Sequence, residues 1–236
     1  MEYTTTLLRT EEIARGTQKF VFAKPDGFSF VAGQYVALVL PGVQSAVDKD
    51  KSHKFSIASS PLELDIEIST RMRDTVYKKT LGALKVGDSV TLKGPMGNFV
   101  LPTEPTRMVI LTGGIGITPF MSMLRYCVAA MMSHRITVMY SNRAPQDTAY
   151  LQELDGMVGS NIDVVHTMTD MPAEDRSWSG EHGFIDEAMI KRHVNDFDAA
   201  HYFIAGPPKM VEAMRGVLNS MKVPVEQVHT EDFEGY

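Results

Sequence analysis

Up to about residue 102 the chain alternates apolar and polar positions in short runs, as in Lys19-Phe20-Val21-Phe22, Gln34-Tyr35-Val36-Ala37-Leu38-Val39-Leu40 and Leu64-Asp65-Ile66-Glu67-Ile68. Successive side chains of a strand point to opposite faces, so a period of two predicts strands with one face buried. Turn residues part the runs at Pro25-Asp26-Gly27, Pro41-Gly42 and Val86-Gly87-Asp88. One helical stretch, roughly Thr75 to Leu84, interrupts them. Residues 1–102 therefore predict an antiparallel sheet or small barrel.

After Pro102-Thr103-Glu104-Pro105-Thr106 the pattern changes. Met108-Val109-Ile110-Leu111 is a continuous apolar run, as expected of a strand buried on both faces. A glycine-rich turn follows, then a helical pattern from Pro119 to about Ser133. Strands at Ile136–Tyr140, Ile162–Thr167 and Tyr202–Ala205 alternate with helices through Leu151–Leu154 and Lys209–Met221. Such alternation predicts a parallel sheet with helices on both faces over residues 107–230. The expected architecture is a two-domain chain, an N-terminal antiparallel β-barrel followed by a C-terminal α/β parallel-sheet nucleotide-binding domain, with residues 231–236 as a tail.

Composition narrows the chemistry. Among 236 residues, 44% hydrophobic and 22% charged are enough for a real core and exclude a disordered or collagen-like chain. The formal net charge is −6 and no basic stripe is present, so binding to a nucleic-acid backbone is not expected. Cys127 is the single cysteine, which excludes an intrachain disulfide, a thiolate zinc site and a cysteine-held iron–sulfur cluster, and no metal is expected. No apolar run is long enough to span a membrane, and the first residues lack the basic-then-apolar pattern of a secretory signal. The expectation is a soluble, cytoplasmic protein.

The sharpest local signal is Thr112-Gly113-Gly114-Ile115-Gly116-Ile117-Thr118-Pro119, set between a buried strand and a helix. Glycines let backbone turn tightly and approach a ligand closely, and a helix's first N–H groups with its dipole attract anions. A pyrophosphate held against residues 113–118 is the expectation. A tight β–α connection without a ligand would use the same residues. Ala205-Gly206-Pro207-Pro208 ends a second strand. In an open α/β sheet ligands bind beyond the strands' carboxyl ends, so both clusters face one crevice.

With these residues in view the sequence resembles the ferredoxin–NADP(+) reductase superfamily over nearly its whole length. His53-Lys54-Phe55-Ser56 is similar to its flavin motif R-x-Y-S, and Gly94-Pro95-Met96-Gly97-Asn98-Phe99 to its barrel-closing G-P-x-G-x-F. Ala32-Gly33-Gln34-Tyr35, Gly113 to Pro119, Gly206-Pro207-Pro208 and the terminal Glu231-Asp232-Phe233 follow in family order.

The resemblance implies bound FAD, with Phe55 against the flavin ring and Ser56 donating near its N5. Ser56 and Glu231 are the implied catalytic residues. At His53 the chain departs from the family, which usually has an arginine gripping a flavin phosphate. Histidine is mostly neutral at pH 7 and lacks the bidentate fork, so Lys54 or Arg71 would supply the charge, or flavin would bind weakly and exchange. Thr75 and the start of its helix are implied as a second phosphate contact.

For NADPH or NADH, Gly113, Gly114, Gly116 and Thr118 are implied contacts, with Gly206 and Pro207 flooring the nicotinamide pocket. Many members place a cysteine where Ala205 stands. Ser141 and Arg143, after the second strand of the α/β domain, lean towards the 2′-phosphate of NADPH. Phe233 resembles the family's terminal aromatic over the flavin, with Tyr236 a second candidate. Cys127 and the methionines at 121, 123, 131 and 132 are expected as core filler.

The implied activity is hydride transfer from NAD(P)H to FAD and onward transfer of electrons to a ferredoxin- or flavodoxin-type carrier, or to a small acceptor. Two alternatives remain: an NAD(P)H:flavin oxidoreductase using diffusible flavin, and a non-catalytic redox regulatory subunit. The acidic net charge argues against docking an acidic ferredoxin, although a local basic patch at Lys49–Lys54 and Lys78-Lys79 could still serve.

Overall fold

The computed structural model describes residues 1–43, 51–159, 161–172, 174–175 and 177–233. Contacts divide the chain into two compact units, Met1–Leu101 with Thr118–Ala129, and Pro102–Ile117 with Ala130–Tyr236.

The first unit is built on strands β1 (Glu2–Ala14), β2 (Thr17–Ala23), β3 (Tyr35–Val39), β4 (Ser52–Ser56), β5 (Asp65–Arg71) and β6 (Ser89–Met96), with helix α1 (Val76–Gly82) after β5. All pairings are antiparallel in the order β4-β3-β6-β1-β2-β5. The two outer strands are brought together by Ala58 N–H, which donates to the Glu67 carbonyl at 2.8 Å and closes the sheet into a barrel. The apolar positions of the period-two pattern turn inwards: Phe20, Phe22, Val36, Leu38, Ile66 and Ile68 form one core with Tyr77 and Leu81 of α1.

Helix α2 (Thr118–Ala129) packs with this unit although it follows the glycine turn in the chain. Its Ser122 Oγ donates to the Ser59 carbonyl at 2.7 Å. Its Arg125 Nη1 lies 3.1 Å from Glu67 Oε1 and donates to the Ala58 carbonyl at 3.0 Å, with side chains only 13% and 8% exposed for Arg125 and Glu67. The helix stops at Ala129, four residues before the expected end. Met131 there takes a left-handed φ of 51° and is 89% exposed, so it is surface rather than core filler. Met121, Met123 and Cys127 are buried as expected, and burial pushes the Cys127 thiol up to about 11.

The second unit is a six-stranded parallel sheet in the order β10-β9-β8-β7-β11-β12: β7 (Arg107–Gly113), β8 (Arg135–Asn142), β9 (Ile162–Met168), β10 (Glu181–His182), β11 (His201–Gly206) and β12 (Val228–Asp232). Helices α3 (Leu151–Met157), α4 (Glu187–His193) and α5 (Pro208–Ser220) complete it. One face of the sheet, through Val109, Leu111, Met139, Tyr202 and Ile204, packs on Met189 and Ile190 of α4 and on Val211, Met214 and Leu218 of α5. The opposite face meets α3, where Asp155 holds His166 Nε2 at 3.0 Å. Helix α4 and strands β10 and β12 have no counterpart among the elements that periodicity predicts. Seven residues give α4 a single apolar pair, too little for a periodic signal. It is started instead by Asp186, whose side chain accepts from Met189 N–H at 2.7 Å.

Candidate functional site

In the barrel, β4 and β5 are the outer strands, and their seam gathers the residues predicted to hold flavin. Register places Phe55 opposite Val36 and Ser56 opposite Tyr35. Phe55 therefore turns to the core side, 8% exposed, stacked at 6.1 Å on Tyr77. His53, exposed, has its ring 4.1 Å from that of Tyr77. Lys54, also exposed, lies 5.5 Å from the Tyr35 ring. The Ser56 hydroxyl is buried and has no hydrogen-bond partner among the described residues. Arg71 ends β5 across the seam. Thr75 caps α1, its side chain accepting from Lys78 N–H at 3.2 Å.

Lys78 is the residue of this seam that the sequence pattern does not single out, since it falls with Lys79 in an expected surface patch. Its ammonium lies 4.6 Å over the Phe55 ring and donates to Thr70 Oγ1. Burial first, and the Arg73 charge second, pull it down to about 8. Lys79 is the exposed one, paired with Asp74. Of the other half of the expected docking patch, Lys49 and Asp50 lie outside the described residues.

In the second unit β7 ends at Gly113, and residues Gly114–Ile117 form a single 3-10 turn before α2. Strand order runs one way from β7 through β8 and β9, the other way through β11 and β12, so the glycine turn falls at the point where the order reverses. Gly114 has a φ of 55°, and the Tyr140 hydroxyl donates to its carbonyl at 2.8 Å. A Cβ on Gly116 would stand 2.4 Å from the Ala205 carbonyl oxygen and 2.6 Å from Gly206 Cα. The two glycine clusters are thus in contact, held also by Thr112 Oγ1 donating to the Ala205 carbonyl at 2.9 Å. Pro207, after β11, precedes α5. Thr118, at the start of α2, is buried and lies in the first unit by its contacts.

Across the sheet Ala205 pairs with both Thr112 and Glu231, and Gly113 with Ser141. Glu231 therefore belongs to β12 rather than to a loose end. Its Oε2 is buried without a hydrogen-bond partner among the described residues, and burial pushes its carboxyl up to about 7. Phe233 follows the strand, its N–H donating to the Gly206 carbonyl at 3.4 Å. Tyr236 lies outside the described residues. Arg143, 69% exposed, has Nε 4.0 Å from Asp170 Oδ2.

These donors suit two anionic nucleotides. The Ser56 hydroxyl and the Lys78 ammonium offer the barrel seam a donor and a charge without an acid, and the packed glycines leave backbone, not side chain, facing the end of β7.

The comparisons agree with that donor set. The oxidoreductase FAD-binding domain family matches residues 4–101 and the oxidoreductase NAD-binding domain family residues 110–216. The glycine betaine monooxygenase reductase subunit of Chromohalobacter salexigens is 28% identical over 220 residues, 91% of this chain and 59% of its own length. A component of the Na(+)-translocating NADH-quinone reductase of Shewanella denitrificans is 27% identical over 209 residues, 82% of this chain and 51% of that protein. The chain thus spans about half the length of the NADH-quinone reductase components it matches. Among solved structures, an Amycolatopsis cytochrome P450 reductase superposes with a TM-score of 0.85 at 26% identity, covering 99% of this chain and 70% of that one. A Neisseria gonorrhoeae ferredoxin NADP+ reductase with bound FAD and NADP gives 0.82 at 18% identity, covering 98% of each, a likeness of fold. Fold and donors define a two-domain oxidoreductase for FAD and a nicotinamide nucleotide. The chain belongs to the oxidoreductases that join an FAD-binding domain to an NAD-binding domain, and it has the fold of the ferredoxin–NADP(+) reductases.

Proposed function

We propose that the chain takes hydride from NAD(P)H onto FAD and hands the electrons to a separate protein carrier of the ferredoxin or flavodoxin type. The observation that carries this reading is the buried Ser56 hydroxyl, a donor with no partner among the described residues in the strand that matches the flavin motif. A buried hydroxyl without a partner costs about 1–3 kcal/mol, so its retention points to a ligand that accepts from it. When bound, FAD supplies an acceptor for an electron pair that it can release singly or together.

The residues around it do the rest. Ser56 donates where negative charge develops, an interaction that is stronger in the transition state than before it. Gly113, Gly114 and Gly116 would offer backbone N–H groups to a nicotinamide cofactor's pyrophosphate, Thr118 would offer its hydroxyl, and Gly206 and Pro207 would serve its nicotinamide end. Glu231, raised to about 7 by burial, can take up or release a proton near neutrality, one strand away from Ala205. The resemblance gives Phe233 the role of the family's terminal aromatic. Arg143 favours NADPH, although Asp170 shares its charge. With one cysteine these 236 residues hold too few thiolates for an iron–sulfur relay of their own, and the proposed acceptor is a carrier outside them. The monooxygenase reductase among its relatives is compatible with such a partner. The cytoplasm is the proposed location; no helix among the described residues is long and apolar enough to cross a membrane.

The test is to purify the protein, record the flavin spectrum before and after gel filtration, and compare NADH with NADPH turnover using ferricyanide. Colour that stays and nucleotide-dependent bleaching support the reading. Colour lost on the column, with turnover restored by added flavin, favours the flavin oxidoreductase. Bound flavin that neither nucleotide bleaches leaves the regulatory subunit.

A further inference from the structure

The barrel seam holds a cation with no negative counterpart among the described residues. Lys78 reaches from α1 into the gap between the outer strands β4 and β5, with the Phe55 ring of one beneath it and the Thr70 hydroxyl of the other accepting from it. Neither is an acid, and among the described residues no carboxylate pairs with Lys78. The nearby Asp74 is taken by Lys79. The other charge felt at Lys78 is Arg73, of the same sign. Withdrawing an ammonium from water and setting a second cation beside it is unfavourable unless an anion completes the group.

We propose that Lys78 is the cation that meets the diphosphate of FAD, in the part that an arginine at position 53 would otherwise play. The assignment rests on the reductase reading and deepens it. Lys78 lies among the residues expected to hold that diphosphate: its own N–H is capped by Thr75, its neighbour Tyr77 has its ring 4.1 Å from that of His53, tilted by 40°, and Thr70 precedes Arg71. His53 brings no bidentate fork, and Lys54 is turned to Tyr35 instead. A lysine is a point charge on a flexible stem, suited to reaching a phosphate from the side. Phe55 beneath it orients the stem, which explains an aromatic facing the core with a lysine above it.

The charged and titratable groups around Lys78 are Arg73 and the Asp74–Lys79 pair before and on α1, Arg71 on β5, and His53 and Lys54 on β4. Lys78 itself sits near 8 before the anion arrives, and an anion raises it. Below that pH the ammonium is already charged. Above it, binding must draw a proton from water, so FAD affinity falls by up to about tenfold per pH unit.

Calorimetric titration of the flavin-stripped protein with FAD and with riboflavin, which lacks phosphate, tests the assignment. Lys78→Met should weaken FAD about 10- to 100-fold, the range of a charge-assisted hydrogen bond, and leave riboflavin within about twofold. Riboflavin binding in the same variant shows that the seam is still folded. Lys78→Arg should keep FAD affinity within about threefold and lose the fall between about pH 8 and about pH 10, since arginine does not titrate there. Lys79→Met should leave FAD binding unchanged. Loss of both flavins alike in Lys78→Met, or of neither, overturns the assignment alone. Failure of the unaltered protein to bind FAD at all overturns the reductase reading and the assignment with it.

Discussion

Ser56 Oγ and Glu231 Oε2 are among seven buried side-chain atoms that have no hydrogen-bond partner among the described residues. Removing the Ser56 hydroxyl takes away no hydrogen bond within the described structure and relieves the cost of burying it unpaired, so flavin-free Ser56→Ala should be no less stable than the parent and gain up to about 3 kcal/mol. Flavin reduction by NAD(P)H in that variant, followed by stopped-flow absorbance, should slow by about tenfold or more. Equal or greater stability with an unchanged rate would remove Ser56 from the mechanism. Glu231 has a signature that depends on pH. Burial raises its carboxyl from 4.5 to about 7, so the unfolded chain ionises first and stability drains away as pH rises across that window. Above it both states are ionised and the deficit is constant, on the order of 2–3 kcal/mol. Glu231→Gln should therefore gain stability over the parent from about pH 5 to about pH 7 and level off beyond, as read from urea midpoints at each pH. A gap that stays flat, or narrows with rising pH, contradicts the burial. Ser56 and Glu231 were legible as candidates, because the motif names their positions. Lys78 was not, because nothing in Thr75-Val76-Tyr77-Lys78-Lys79 says which lysine turns inwards; only the closing of β4 on β5 decides that.

Elements were legible where they are long and periodic. Strands β2, β3, β5, β7, β8, β9 and β11 and helices α2 and α5 fall where alternation or the helical repeat places them. Strand β12 escaped because Val228–Asp232 reads as a mixed polar stretch and becomes a strand only by pairing with β11. Within the glycine turn the three glycines differ in a way that spacing hides. At Gly116 a methyl group would drive into the Ala205 and Gly206 backbone, which cannot step aside. At Gly113 it would first meet the Met210 sulfur at 2.6 Å, the flexible part of a side chain. At Gly114 nothing lies within 4 Å, leaving only the left-handed φ. Alanine should thus cost about 1 kcal/mol at Gly114, somewhat more at Gly113, and above about 3 kcal/mol at Gly116. Chemical denaturation of the three variants checks the order, and a Gly116→Ala as stable as Gly114→Ala would mean the two clusters are not in contact.

At the scale of the whole molecule, order along the chain and order in space disagree. Helix α2 continues from the glycine turn of the parallel-sheet unit, yet it is packed as part of the barrel. Periodicity predicts the helix and is silent about its allegiance, because Arg125 and Glu67 are 58 residues apart and neither is unusual in its own segment. The ion pair they form is almost fully buried. Such a pair stands only with both members: removing one leaves a buried charge unmatched, at about 3–5 kcal/mol, whereas replacing both with apolar groups of similar size is often neutral. Arg125→Met alone should therefore cost about 3 kcal/mol, while Arg125→Met with Glu67→Leu should recover most of it. Part of the loss will persist, because the Ala58 carbonyl keeps no donor from position 125. A double-mutant cycle on urea midpoints gives the coupling directly. If the double variant is no more stable than Arg125→Met, the penalty comes from lost packing of the arginine stem rather than from a stranded carboxylate, and α2 is held to the barrel by its apolar face and the Ser122–Ser59 bond instead.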